Sequence, residues 1–238
     1  MRFLNKRVFI TGASRGIGAA IAKAYRAEGA FVVGTQTQNN DTSNDVCNEW
    51  YIADFLDEDQ ILGCADYLKS QDIDILVNNA GFNINENFSS IDLEVFKKIQ
   101  QVNLLAPFLL CQAAVEGMEL KGWGRIVNIS SIWGKISKTG RASYSASKFA
   151  LDGLTASLSA EYSARGIMAN CVAPGFIDTS LTQRMLTPDE ITDLVSRVPI
   201  ARLGNVSEIA NLVLWLSSTE NTFTTGQNIA IDGGFTRV

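Results

Sequence analysis

Tyr144 and Lys148 lie four residues apart in Ser143-Tyr144-Ser145-Ala146-Ser147-Lys148, and Ser131 lies thirteen residues before the tyrosine. The chain has no histidine. The commonest general base is therefore missing from every candidate mechanism. Acid–base chemistry near neutral pH must come from a carboxylate, cysteine, lysine or tyrosine with a shifted pKa. On a helix, positions i and i+4 share a face. An ammonium at Lys148 can then approach the phenol and favour its ionised form. Taken alone, Tyr-x-x-x-Lys also fits an ordinary helix pair with a solvated lysine.

The N-terminal segment separates the two readings. Val8-Phe9-Ile10 reads as a short buried strand. Thr11-Gly12-Ala13-Ser14-Arg15-Gly16-Ile17-Gly18 follows, and then a helical pattern through Tyr25. Strand, glycine turn and helix in that order make an anion site, because the first N–H groups of a helix are free and its dipole is positive there. Gly12 suits the tight turn, Gly16 a close approach to pyrophosphate, and Gly18 close packing of helix on strand.

These segments, with Asn78-Asn79-Ala80-Gly81, Ser131, Tyr144-x-x-x-Lys148 and Pro174-Gly175, resemble the short-chain dehydrogenase/reductase family in order and spacing. The resemblance runs from the first strand to Asp232-Gly233-Gly234. Within the family the chain is most similar to bacterial 3-oxoacyl-acyl-carrier-protein reductases, sharing Arg15, Gly34-Thr35, Thr37, Val198-Pro199 and Arg202-Leu203-Gly204. The resemblance implies reduction of a ketone, with Tyr144 donating the proton, Ser131 hydrogen-bonding the same oxygen, and Lys148 holding the nicotinamide ribose and lowering the tyrosine pKa. It implies that Asn103 bends its helix and holds a water relaying protons to Lys148; a buried amide bonded to backbone is the alternative. It places Gly12, Ser14, Arg15, Gly16, Ile17, Gly18, Thr35, Thr37, Asp54, Phe55, Asn79, Ala80, Gly81, Pro174, Gly175 and Ile177 at the dinucleotide, alongside Tyr144 and Lys148. Ser130 competes with Ser131, but only Ser131 has the matching interval.

The second strand candidate ends Thr35-Gln36-Thr37, with no carboxylate before Asp41. An acid there would bond the ribose 2′-hydroxyl and repel a 2′-phosphate. Its absence, with Arg15 in the turn to meet a phosphate, points to NADP(H) over NAD(H).

The substrate is less determined. The acyl-carrier reductases hold an acidic carrier protein with basic residues. Arg165 matches one such position; the other is Gly122, flanked by Lys121 and Arg125. Trp133 would wall the substrate site together with Ser131 and Tyr144. The polar run Asn83, Asn85, Glu86, Asn87 would suit a ring polyol or nucleotide sugar as well as a thioester. Two other classes remain: a dinucleotide-binding regulator, from which loss of Ser131, Tyr144 or Lys148 would be expected, and a hydrolase using Ser131, which would need a base.

With 238 residues, 46% of them apolar, the chain can fill one large core. A net charge of -5 argues against a nucleic-acid surface. Cys47, Cys64, Cys111 and Cys171 are scattered and read as buried thiols of a reducing cytoplasm, so no metal site is expected. Residues 1–7 are too short and polar for a signal peptide, and no apolar stretch reaches membrane-spanning length.

Short apolar runs alternate with helical ones, which predicts a doubly wound (Rossmann-type) seven-stranded parallel α/β sheet in a single domain, residues 1–238. Strands are expected at 7–11, 30–35, 50–53, 73–79, 124–130, 167–173 and 227–231, and helices at 16–28, 58–70, 92–120, 142–165 and 206–217. Residues 36–49 read as a polar loop. Residues 176–200 read as a soft segment, which the resemblance makes a mobile lid. Leu104, Leu105, Phe108, Leu109, Phe149, Leu151, Leu154 and Leu158 exceed one core-facing stripe. They predict a two-fold interface on the helices at 92–120 and 142–165, and the resemblance adds a second axis near 226–238 to make a homotetramer.

Overall fold

Seven parallel strands in the order β3-β2-β1-β4-β5-β6-β7 form one sheet in the computed structural model, which describes residues 1–38, 45–185 and 187–238. The strands are β1 (Arg7–Ile10), β2 (Phe31–Gln36), β3 (Glu49–Ile52), β4 (Ile75–Asn78), β5 (Gly124–Ile129), β6 (Ile167–Pro174) and β7 (Asn228–Ile231). All seven fall where the sequence places them. Val8 of β1 pairs with Val32 of β2 on one side and with Ile75 of β4 on the other. The chain therefore winds outward from β1 in both directions, and the switch point lies between β1 and β4. Every residue of β4 and β5 is buried, as a parallel sheet covered on both faces requires.

Helices α1 (Gly16–Ala27) and α8 (Val206–Ser217) cover one face, packing Ile21, Tyr25, Ile209 and Val213 on Val8, Ile10 and Val127. Helices α2 (Glu58–Ser70), α4 (Ala106–Lys121) and α5 (Ala142–Tyr162) cover the other, where Ile61, Leu68, Leu110 and Met118 meet Phe9, Leu76 and Ile126. Local chemistry sets the ends. The Asp57 carboxylate accepts from the Asp59 N–H to start α2, Asn205 and Glu208 form a capping box for α8, and Gly122 closes α4 at a φ of 64°.

Two segments differ from the sequence-based expectation. The helix over 92–120 is not continuous: α3 (Leu93–Gln100) passes through one π turn at Gln101–Leu105 before α4 begins. Residues 176–200 are not bare loop but carry α6 (Ser180–Met185) and α7 (Pro188–Ser196). The second is capped by Thr187, whose hydroxyl accepts from the Glu190 N–H while Glu190 accepts from Thr187. That Thr-x-x-Glu spacing is visible in the sequence. Of the polar loop expected at 36–49, residues 39–44, Asp41 included, lie outside the described residues. Leu151 (1% exposed) and Leu158 (9%) pack into this chain's own core and leave the expected interface set. Phe108 (42%) and Phe149 (45%) remain exposed, and Phe108 lines a groove of about 510 Å³ with Phe96, Leu104, Leu105 and Leu154. Among the described residues no helix is long and apolar enough to cross a membrane, and no cluster of His, Cys, Asp and Glu could hold a metal ion.

Candidate active site

The segments of interest meet at the carboxyl ends of β1, β4, β5 and β6, beside the switch point. The glycine turn leaves β1 there, and side chains tie it down. The Thr35 hydroxyl accepts from the Gly12 N–H at 3.0 Å. The Asn79 amide donates to the carbonyls of Thr11 and Gly12, both at 3.0 Å. The Thr11 hydroxyl accepts from the N–H groups of Asn79 and Ala80, each at 2.9 Å. Thr11, which its position in the motif did not single out, is thus one of the clasps of this turn. Thr35 and Asn79, expected at the dinucleotide, hold the turn with their side chains.

The turn fits a pyrophosphate. Gly12 and Gly16 adopt φ of 64° and 57°. A Cβ at Gly16 would meet nothing closer than Thr179 Cγ2 at 4.0 Å, so open space lies over this backbone. A Cβ at Gly18 would sit 2.2 Å from the Gly12 oxygen, which only glycine avoids. The α1 N-terminus carries no side-chain cap, which leaves its first N–H groups to a ligand. Arg15 is exposed at that N-terminus and makes no ion pair or side-chain hydrogen bond among the described residues. Arg15 occupies the N-cap position, but its side chain makes no capping bond. Ser14 and Ile17 are half-buried in the same turn, and Thr37 is exposed just past β2. Asp54 follows β3 and accepts from the Leu56 N–H at 3.0 Å, while Phe55 is buried beside it.

Ser131, Tyr144 and Lys148 converge from two elements. Ser131 follows β5; its hydroxyl accepts from the Trp133 N–H at 3.2 Å and lies near enough to the Tyr144 phenol to pull its pKa down. Tyr144 and Lys148 occupy the first two turns of α5, with the ammonium 5.6 Å from the Tyr144 ring centroid. The Lys148 Nζ donates to the Ile129 carbonyl at 2.8 Å. Ser130 donates to the Lys148 carbonyl at 3.3 Å and is structural.

The electrostatics differ from the expectation in one respect. Burial pushes the Tyr144 phenol above its usual range, and the downward pull comes from the Ser131 hydrogen bond and the Arg141 charge. Lys148 is not its depressant: that ammonium is turned to the Ile129 carbonyl, and its own burial lowers it to about 8. The site holds a neutral phenol, a donor rather than a standing base.

Asn103 lies in the π turn between α3 and α4, so the helix bends where the resemblance places the bend. Its amide donates to the Phe82 carbonyl at 2.9 Å and to the Ser147 hydroxyl at 3.1 Å, and its oxygen accepts from the Phe82 N–H at 2.8 Å. The side chain therefore joins the turn after Gly81 to α5, as the backbone-bonded alternative has it. Ser147, whose hydroxyl also donates to the Tyr144 carbonyl at 2.7 Å, is a second residue that spacing did not reveal.

The substrate side is aromatic. Trp133 is buried and meets Phe176 and Phe235 edge-on, with centroids 6.2 and 6.4 Å away. Pro174 and Gly175 bring Phe176 and Ile177 to this wall, and Thr182 donates to the Ile177 carbonyl at 2.7 Å. The basic residues matched to carrier-protein contacts lie elsewhere. Arg165 pairs with Glu119 at 2.9 Å, Lys121 pairs with Asp72 and Asp74, and Arg125 is buried against backbone carbonyls. All three flank the starts of β5 and β6, the end of the sheet opposite the strand ends where Tyr144 lies within one chain. Their neighbourhood at this chain's own entrance is therefore not seen, because the strand lengths separate them from it.

Known proteins resemble this chain over nearly its full length. A family model described as enoyl-(acyl carrier protein) reductase, of the short-chain alcohol dehydrogenase type, matches residues 12–236. The 3-oxoacyl-(acyl-carrier-protein) reductase of Escherichia coli is 37% identical, with 98% of each chain covered. That of Aquifex aeolicus is 34% identical at the same coverage. Among solved structures, a gluconate 5-dehydrogenase from Burkholderia cenocepacia in complex with NADP and tartrate superposes with a TM-score of 0.91 at 28% identity, covering 100% of this chain and 97% of that one. A blue fluorescent protein from a metagenomic library, in complex with NADPH, superposes with a TM-score of 0.91 at 32% identity, covering 99% of each chain. The chain belongs to the short-chain dehydrogenase/reductase family of oxidoreductases.

Proposed function

We propose that the chain reduces a ketone to a secondary alcohol with NADPH, and that its substrate is a 3-oxoacyl thioester borne on an acyl carrier protein or a related carrier. The observation that carries the reaction is the convergence of the Ser131 hydroxyl and the Tyr144 phenol, with the Lys148 ammonium 5.6 Å from the tyrosine ring centroid. NADPH, when bound, supplies the hydride. The Tyr144 phenol, kept neutral by burial, gives its proton to the oxygen that becomes negative. Ser131 donates a second hydrogen bond to that oxygen. Lys148, held near 8, is a proton source within the buried site. The glycine turn and the α1 N-terminus would hold the pyrophosphate, and Arg15 the 2′-phosphate. The neighbours carrying NADP and NADPH, and the acid-free strand end Thr35-Gln36-Thr37, support that choice. The thioester rests on the relatives named for it.

A second reading, a polyhydroxylated ketone, is favoured by one observation. Asn83 Oδ1 and Glu86 Oε2, on the loop after Gly81, are buried without a hydrogen-bond partner. Such acceptors suit substrate hydroxyls better than an acyl chain. The NADP- and tartrate-bound gluconate 5-dehydrogenase among the neighbours supports it as well. Assembly as a homotetramer belongs to the same proposal, with Phe108 and Phe149 in its first interface. Acetoacetyl thioesters and keto-sugars, each assayed with NADPH and NADH, test it. Turnover of the thioester alone supports the first reading and turnover of the sugars alone the second. Failure of all ketones overturns both.

A further inference from the structure

Arg141 is the residue before α5, three positions ahead of Tyr144. Its guanidinium carbon lies 5.8 Å from the Trp133 ring centroid, and the Lys138 ammonium lies 5.3 Å from the same centroid. The Trp133 N–H itself donates to the Ser131 hydroxyl at 3.2 Å, and that hydroxyl acts on the Tyr144 phenol. Two cations therefore converge on the wall beside the hydroxyls that would receive a ketone oxygen.

Neither cation forms an ion pair among the described residues. Four other arginines at the surface are neutralised: Arg2 with Glu28, Arg165 with Glu119, Arg197 with Asp193, Arg202 with Glu208. Glu86, whose loop passes Gly140 closely, reaches neither cation. The two cations repel each other. Burial, then Arg141 and Arg197, hold Lys138 below its usual range, and burial holds Arg141 below its own. The Trp133 ring attracts each of them but does not remove their mutual repulsion. An anion placed between them would.

We infer, on the reading that Tyr144 reduces a ketone, that Arg141 and Lys138 hold an acid group carried by a substrate a few bonds from its carbonyl, which extends the site's substrates to short anionic ketones. A carboxylate and a phosphate share the chemistry such a pair recognises.

Matched pairs test the inference: acetoacetate against methyl acetoacetate, and dihydroxyacetone phosphate against dihydroxyacetone, each with saturating NADPH. The expected result is a kcat/KM at least tenfold higher for the charged member of one pair, and which pair shows it identifies the acid group. In Arg141→Gln and in Lys138→Gln the charged-to-neutral ratio should fall about tenfold, mainly through KM. Neutral members reduced as well as charged ones, or a ratio unchanged by both substitutions, overturns the inference while leaving the ketone reductase intact. Should none of these compounds turn over, calorimetric titration of the NADP complex with malonate decides. Binding that Arg141→Gln weakens tenfold supports the inference, and no binding overturns it. The broader reading fails only if 3-oxoacyl thioesters and keto-sugars are not reduced either.

Discussion

Replacing Gly18 with alanine would drive a methyl carbon to 2.2 Å from the Gly12 oxygen and 2.5 Å from Asn79 Nδ2. Neither atom can give way cheaply. Gly12 is held at a φ of 64° by its N–H bond to Thr35, and the Asn79 amide is bonded to two carbonyls at 3.0 Å. Relief means separating α1 from β1 or breaking the clasp. Overpacking costs about 1–3 kcal/mol, and two hydrogen bonds about 0.5–1.5 kcal/mol each. Alanine returns about 1 kcal/mol as a better helix former. The net loss is centred near 3 kcal/mol, a fall in Tm of roughly 6–12 °C for a chain of this size. Gly16→Ala is the control. Its methyl has space, and its cost is the positive φ of 57°, about 1–2 kcal/mol. It should melt closer to the unaltered chain yet bind NADPH poorly, because the methyl occupies the phosphate space. Thermal unfolding with and without NADPH, paired with a fluorescence titration, reads both effects. A Gly18→Ala chain melting within about 2 °C of the unaltered one and binding NADPH equally would refute the clasp as described.

Three further outcomes follow from the same geometry. Arg15→Ala should narrow the preference for NADPH over NADH by about tenfold to a hundredfold, the worth of a charge-assisted pair; steady-state KM values for both cofactors check it. Lys148 loses its proton as pH rises through about 8; ketone reduction, which consumes a proton, should fall above that pH while alcohol oxidation rises, and the pH profiles of kcat in the two directions should cross accordingly. Light scattering should give about four times the 25.9 kDa chain mass, and Phe108→Glu with Phe149→Glu should lower it; a monomer at micromolar concentration refutes the interface.

Much of the scaffold was legible because parallel strands leave a plain record. Val8-Phe9-Ile10 and Ile75-Leu76-Val77 are continuous apolar runs, since both faces of the sheet are covered. The glycine turn was legible because its backbone tolerates no other residue at Gly18. The break at Asn103 was not legible as a π turn from periodicity, which runs through it; it exists because the Asn103 amide bonds the Phe82 backbone across the site. The α7 helix was overlooked although Thr187 and Glu190 spell out its cap. Leu151 and Leu158 were read as surplus because a helix lying on a sheet buries more than one stripe. The pairing of Lys138 and Arg141 over Trp133 depends on how the segment after β5 folds back onto α5, and spacing alone carries no trace of that. The source of the Tyr144 shift was likewise hidden: i,i+4 spacing places Lys148 near the ring, but not where its ammonium turns.

The central claim is that the Tyr144 phenol delivers the proton while other residues hold the cofactor. Its most direct test is Tyr144→Phe, with NADPH oxidation followed on the best ketone substrate and NADPH affinity titrated on the same preparation. The account predicts a fall in kcat of about a hundredfold or more, the contribution of a positioned acid, with NADPH affinity changed by less than about threefold, well under one tenfold step of binding energy. A variant that keeps more than a tenth of the rate would contradict it.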